Sequence, residues 1–129
     1  MVLTQRQKKY MSFAAKVADR APIEQRFRMG CVLVRGGVPV SFGTNDMRKT
    51  HPRAQRYEYP FLHAELAALI AAAREDTYGA TAYIARVSRR MKCLGIARPC
   101  AVCQDELRRA GVREVFYTTT SGDVERMEL

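Results

Sequence analysis

Phe61-Leu62-His63-Ala64-Glu65-Leu66-Ala67-Ala68-Leu69-Ile70-Ala71-Ala72-Ala73, together with Pro99-Cys100-Ala101-Val102-Cys103, is the part of the chain from which the rest can be placed. From about residue 61 the first segment is apolar almost all round at helical spacing, so it reads as a buried helix. His63 and Glu65 stand near its start and are carried into the interior with it. Pro99 suits the opening of a second helix that runs to about residue 110 and is capped by Gly111. Cys100 and Cys103, at i and i+3, then lie on its first turn and point the same way.

These residue types in this spacing make a metal centre. The positive end of a helix dipole lowers a thiol toward thiolate, which gives zinc two soft ligands in Cys100 and Cys103. His63 adds an imidazole from the other helix. Three protein ligands leave the fourth tetrahedral position to water, the arrangement of a catalytic site, whereas a structural site takes four. Glu65 is placed to reach that water, take its proton and hand it to a leaving group. Ala64 between them leaves space and offers a backbone N–H to the site. Singly, the histidine reads as a core residue, the Cys-x-x-Cys as a redox pair and the glutamate as a helix-dipole partner. Jointly they specify an enzyme with Zn2+ as cofactor. A zinc-stabilised nucleic-acid-binding module is the non-enzymatic alternative, and it lacks an obvious fourth ligand.

Working outward, Tyr10, Phe13, Ala14, Val17 and Ala18 fall at helical spacing, which predicts an amphipathic helix over residues 4–19. Residues 27–34 are mostly apolar, and Val38, Val40 and Phe42 alternate after Gly36-Gly37, so the pair reads as an antiparallel hairpin. A polar, basic loop follows from Met47 to Tyr59. Residues 80–87 read as an inner strand and 112–119 as another. After Ser121-Gly122-Asp123 too little chain remains for a helical crossover, so a last strand within residues 124–129 has to run antiparallel.

The 129 residues suit a single domain, 1–129, and a hydrophobic fraction of 47% excludes general disorder. Net charge is +9, from 22 basic and 13 acidic residues, which favours phosphate-bearing partners or serves solubility alone. Residues 5–9 are polar with no signal-peptide pattern after them, and the apolar run 66–73 falls short of the roughly 20 residues a membrane helix needs, so a cytoplasmic protein without membrane contact is expected.

His63-Ala64-Glu65 followed by Pro99-Cys100-Ala101-Val102-Cys103 resembles the zinc-dependent cytidine/deoxycytidylate deaminase superfamily, in the form of a small phage- or bacterial-type member. The resemblance covers most of the chain. It implies an α/β, three-layer α-β-α fold around a mixed sheet of four to five strands, with zinc on His63, Cys100 and Cys103. Glu65 would shuttle protons as water attacks C4 of cytosine and ammonia leaves. Gly43-Thr44-Asn45 is similar to the family's strand-end Gly-x-Asn, which would give Asn45 the sugar or its neighbouring atoms. Phe27 occupies the place of a base-stacking aromatic. Cytidine deaminases usually have Cys where His63 stands and Glu where Met47 stands, so the chain resembles the deoxycytidylate and tRNA-adenosine branches more.

Arg48, Lys49, His51, Arg53 and Arg56 follow Asn45 and read either as a phosphate clamp, with Arg48 and His51 touching substrate, or as a solvated loop. Arg86, Arg89, Arg90, Lys92 and Arg98 form a second basic cluster, and Tyr57, Tyr59 and Phe61 are stacking surfaces for bases or simple packing. The expected substrate is a free cytosine nucleotide, dCMP converted to dUMP, with a base in single-stranded DNA or tRNA as the alternative. Cys93 or His51 at a second metal site has no convincing partner set. The nearly all-apolar central helix suggests a homo-oligomer.

Overall fold

The structure, a computed structural model, describes residues 1–25, 27–58, 61–88 and 94–129. Thr4 starts the first helix: its side chain accepts from the Gln7 N–H while the Gln7 side chain accepts from the Thr4 N–H, a capping box. Helix α1 then spans Gln5–Ala18, as its periodicity predicts, and buries Tyr10, Met11, Ala14 and Val17. Strands β1 (Phe27–Arg35) and β2 (Val38–Thr44) pair antiparallel. Gly36 and Gly37 turn between them with φ of 60° and 78°, the left-handed pair that a tight hairpin of this hand requires.

The remaining elements are α2 (Ala64–Ala71), α3 (Arg74–Thr77), β3 (Thr81–Ser88), β4 (Leu94–Gly95), α4 (Ala101–Arg109), β5 (Glu114–Thr118) and β6 (Val124–Glu128). The sheet runs β2-β1-β3-β5-β6, with β4 adding a two-residue pairing on β3. β3 and β5 are parallel, joined through α4, and the other pairs are antiparallel. The last strand takes the antiparallel direction its short connection dictates.

Period-two alternation sorts the strand residues into two cores. Cys31, Leu33, Ala82, Ile84, Val115 and Tyr117 pack against α2 and α4. Val32, Val34, Tyr83, Ala85 and Phe116 pack against Tyr10, Met11, Ala14 and Val17 of α1. The result is three layers, α-β-α. Two glycines set how closely the helices approach. A Cβ on Gly30 would collide with the Ala14 carbonyl and the Ala18 nitrogen of α1, and one on Gly43 would lie 2.5 Å from the Ala68 nitrogen of α2.

Three features differ from the expectation. The central helix begins at Ala64 because an antiparallel bridge between Asp46 and Leu62 holds the preceding residues extended, which leaves His63 as the N-cap. That bridge pinches the base of the basic loop, inside which Pro52–Arg56 forms a 3-10 turn. The short α3 and β4 carry no periodic signal, so the sequence does not predict them. Most of α2 is buried by the chain's own sheet and α4, leaving Ile70 39% exposed. Tyr59, Arg89, Arg90, Lys92 and Cys93, and with them the idea of Cys93 in a second metal site, lie outside the described residues. No described helix is long and apolar enough to cross a membrane.

Candidate zinc centre

Both short helices that flank the site begin on a residue of the paired motif. His63 is the N-cap of α2 and Cys100 the N-cap of α4, and neither side chain makes a capping hydrogen bond. His and Cys are poor caps, so these positions give up local helix stabilisation and leave both side chains available. Cys103 lies one turn into α4 and is fully buried. The ligand atoms of His63, Cys100 and Cys103 lie within 4.8 Å of one another, the one such cluster among the described residues.

Zinc–sulfur bonds of about 2.3 Å and zinc–nitrogen bonds of about 2.0–2.1 Å put tetrahedral neighbours roughly 3.5–3.8 Å apart. The Cys103 Sγ to His63 Nδ1 distance is 3.7 Å, so this pair of donors is spaced for that ion. Hydrogen bonding between the two thiols lowers Cys100 to about 4 and, with burial, raises Cys103. The pairing thus favours the thiolate form at Cys100 over Cys103. Two thiols and an imidazole suit zinc and are a poor match for hard cations.

Beside the cluster lies a cavity of about 390 Å³, lined by Phe27, Asn45, Ala64, Glu65, Arg86 and Arg98 among others, with His63 and Cys100 in its wall. It opens where β1 begins and where β2 and β3 end. Glu65 is 2% exposed, and burial raises its carboxyl above the ordinary glutamate value. A carboxyl in that state exchanges protons closer to neutrality, which suits acid/base work.

The sequence-derived site residues divide. His63, Ala64, Glu65 and Cys100 meet at the cavity, with Cys103 behind them. Asn45 and Phe27 reach it too. The Asn45 side chain is committed to backbone: Oδ1 accepts from the Met29 N–H at 2.8 Å and Nδ2 donates to the Phe27 carbonyl at 3.0 Å. It thereby pins the start of β1 to the end of β2. Phe27 carries the Arg86 guanidinium 3.8 Å above its ring.

Arg48 and His51 are not in the cavity wall. Arg48 pairs with Glu24 at 2.9 Å and Asp46 at 3.3 Å, and His51 Nδ1 accepts from the Arg53 N–H as the cap of the 3-10 turn. Arg53 and Arg56 are tied to Glu106 and Asp105 of α4. The cations that do face the cavity, Arg86 and Arg98, come from the second basic cluster. Tyr57 and Phe61 stack on the His63 ring itself, with centroids at 3.9 and 4.8 Å. Their sequence position gave no sign of this, since aromatic residues in a polar loop fit many roles.

A family described as the cytidine and deoxycytidylate deaminase zinc-binding region has a sequence model that matches residues 4–119. This chain belongs to that family. It is a zinc-dependent deaminase, and the His63, Cys100 and Cys103 cluster fits the metal the family takes. Among solved structures, this deaminase superposes on cytidine deaminase from Burkholderia pseudomallei with a TM-score of 0.66 and 22% identity, covering 98% of this chain and 93% of that one. The dCMP deaminase of cyanophage S-TIM5 gives 0.64 and 21%, covering 93% and 87%. RibD of Acinetobacter baumannii gives 0.59 and 24%, and this deaminase spans 28% of that longer chain. At these identities the superpositions establish the fold. No curated protein sequence gives a significant match.

Proposed function

We propose that this deaminase, acting as one domain of residues 1–129, hydrolyses the exocyclic amine of cytosine in a free nucleotide, converting dCMP to dUMP. The observation that carries the reading is the cavity of about 390 Å³, whose lining combines a buried carboxyl, Glu65, with two arginines, Arg86 and Arg98. Its volume lies in the range of small-molecule sites. A base and a phosphate on one small ligand would answer both polarities.

His63, Cys100 and Cys103 would hold the zinc, which supplies the Lewis acidity that makes water a nucleophile at neutral pH. Glu65 accepts the proton of the attacking water and returns it to the departing nitrogen. The C4–O bond forms, the C4–N bond breaks, and ammonia leaves with uracil behind. The Ala64 N–H, on the first turn of α2, is a donor for the pyrimidine. Phe27, backed by Arg86, offers its ring as a wall for the base. Asn45 sets the position of that wall through the Phe27 carbonyl.

A free nucleotide is favoured over a polynucleotide because the arginines of the first basic loop are already paired. Arg48, Arg53 and Arg56 are each engaged by carboxylates, so they are poor candidates for tracking a strand of phosphates. The cyanophage neighbour is reported in complex with dCMP and dUMP, which fits the reading.

The test is ammonia release from cytidine, deoxycytidine, their mono- and triphosphates, single-stranded DNA and tRNA. dCMP should give the highest kcat/KM, and a preference for either polymer would overturn the substrate. Glu65→Gln should keep its zinc and lose at least about 10²-fold in kcat, the usual scale of a general acid/base. Undiminished turnover in that variant would sink the mechanism.

A further inference from the structure

Tyr57 belongs to neither half of the paired motif, yet it touches a ligand from each. Its hydroxyl lies 2.9 Å from Cys103 Sγ on α4. Its ring stacks on the His63 imidazole at the start of α2, with centroids 3.9 Å apart and planes 19° from parallel. The side chain is buried, with the residue 6% exposed, in a small cluster with Ala54, Leu66 and Cys103. It does not line the cavity, so it is placed to act on the ligands and not on the substrate.

The turn that delivers Tyr57 is itself fastened to the helix carrying Cys103. Tyr57 follows the 3-10 turn as its C-cap. Within that turn Arg53 reaches Glu106 at 2.8 Å, while Arg56 reaches Glu106 at 2.6 Å and Asp105 at 2.7 Å. Asp105 and Glu106 lie two and three residues beyond Cys103. Arg53 and Arg56 thus have a use that needs no phosphate: they dock the turn on α4 and bring the phenol against the sulfur.

We infer that Tyr57 is a positioning residue of the zinc centre, its O–H donating to the Cys103 sulfur and its ring fixing the plane of His63. The inference rests on His63 and Cys103 being zinc ligands. A ligating thiolate has no proton, and a phenol keeps its own at neutral pH, so the hydrogen bond can run only from Tyr57 to Cys103. Such a donor draws charge from the sulfur and restrains its direction. Partners of this kind around a metal shift affinity by about 10–100-fold when removed. With no capping hydrogen bond to hold the His63 side chain, the stack on Tyr57, together with that on Phe61, is what restrains the plane of its ring.

Tyr57→Phe keeps the ring and deletes the hydroxyl with little change in volume, and Tyr57→Leu deletes both contacts. Each variant and the parent chain are loaded with zinc, and transfer of the metal to a chromogenic chelator is timed. Each is also loaded with cobalt(II), and the sulfur-to-cobalt charge-transfer band is recorded. Tyr57→Phe should release zinc about 10-fold faster than the parent and shift the charge-transfer band, and Tyr57→Leu should be faster still. If Tyr57→Phe releases zinc within twofold of the parent and its band is unmoved, the inference falls while the zinc reading stands. If the parent chain itself fails to retain one equivalent of zinc, both fall.

Discussion

Glu106, three residues beyond Cys103 on α4, is the carboxylate to which both arginines of the 3-10 turn are anchored. It is 7% exposed and accepts from Arg53 and Arg56. Burial raises its carboxyl, but the two guanidinium hydrogen bonds outweigh that, so its pKa lies below the usual 4.5. A depressed folded value means that the contribution to stability is complete above the ordinary glutamate range and is lost as pH falls through the lower folded value. Glu106→Gln should therefore cost about 1–2 kcal/mol at pH 7, below the range for a fully buried pair because both arginines are half exposed. The difference from the parent should shrink when urea unfolding is repeated near pH 3. An unchanged difference at both pH values would mean that the ion pairs do not contribute. Asp105 is also held low, by Arg56 first, so the variant keeps part of the acid sensitivity.

At the scale of elements, the two close-packing glycines are the sharpest test of the layered arrangement. Gly30 faces α1 and Gly43 faces α2, each with helix backbone where a Cβ would stand. An added methyl forces a backbone shift, and overpacking of this kind costs about 1–3 kcal/mol. Gly30→Ala and Gly43→Ala should both lower the melting temperature. Only Gly43→Ala should also weaken zinc retention, because it displaces the helix whose cap is His63. Equal zinc retention in the two variants would show that α2 can shift without moving its first turn. Which elements could be read in advance follows from their periodicity. Helix α1, the β1–β2 hairpin, β3 and β5 each repeat an apolar pattern long enough to have one meaning. The four-residue α3, the two-residue β4 and the 3-10 turn do not, and they exist because neighbouring elements offer them partners. The start of α2 lies about one turn later than the apolar pattern predicts for the same reason: the Asp46–Leu62 bridge that delays it is a pairing across a loop.

For the whole molecule, the zinc site joins the start of α2 to the start of α4, segments that precede and follow β3 along the chain. An ion that binds the folded chain and not the unfolded one stabilises it by about 4 kcal/mol at a thousand times its Kd. Chelation should lower Tm by several degrees or more, and zinc should restore it in a concentration-dependent way. An identical Tm with and without zinc would show that the two helix starts are held in register by protein contacts alone.

The sequence by itself determined the order of the main elements and the donors, while the three layers entered as what the family resemblance implies. Apolar periodicity marks the helices and strands, and spacings of two and three residues keep His63 with Glu65 and Cys100 with Cys103 at the two helix starts. These are local relations, and local backbone geometry translates them directly. Only the tertiary structure decided the fate of the loop residues. It took Arg48, Arg53 and Arg56 into ion pairs, left Arg86 and Arg98 to face the cavity, and set Tyr57 between two zinc ligands. An arginine pairs with whichever carboxylate the fold brings near, and Glu106 is fifty or more residues from its partners, a distance over which no sequence pattern carries the choice.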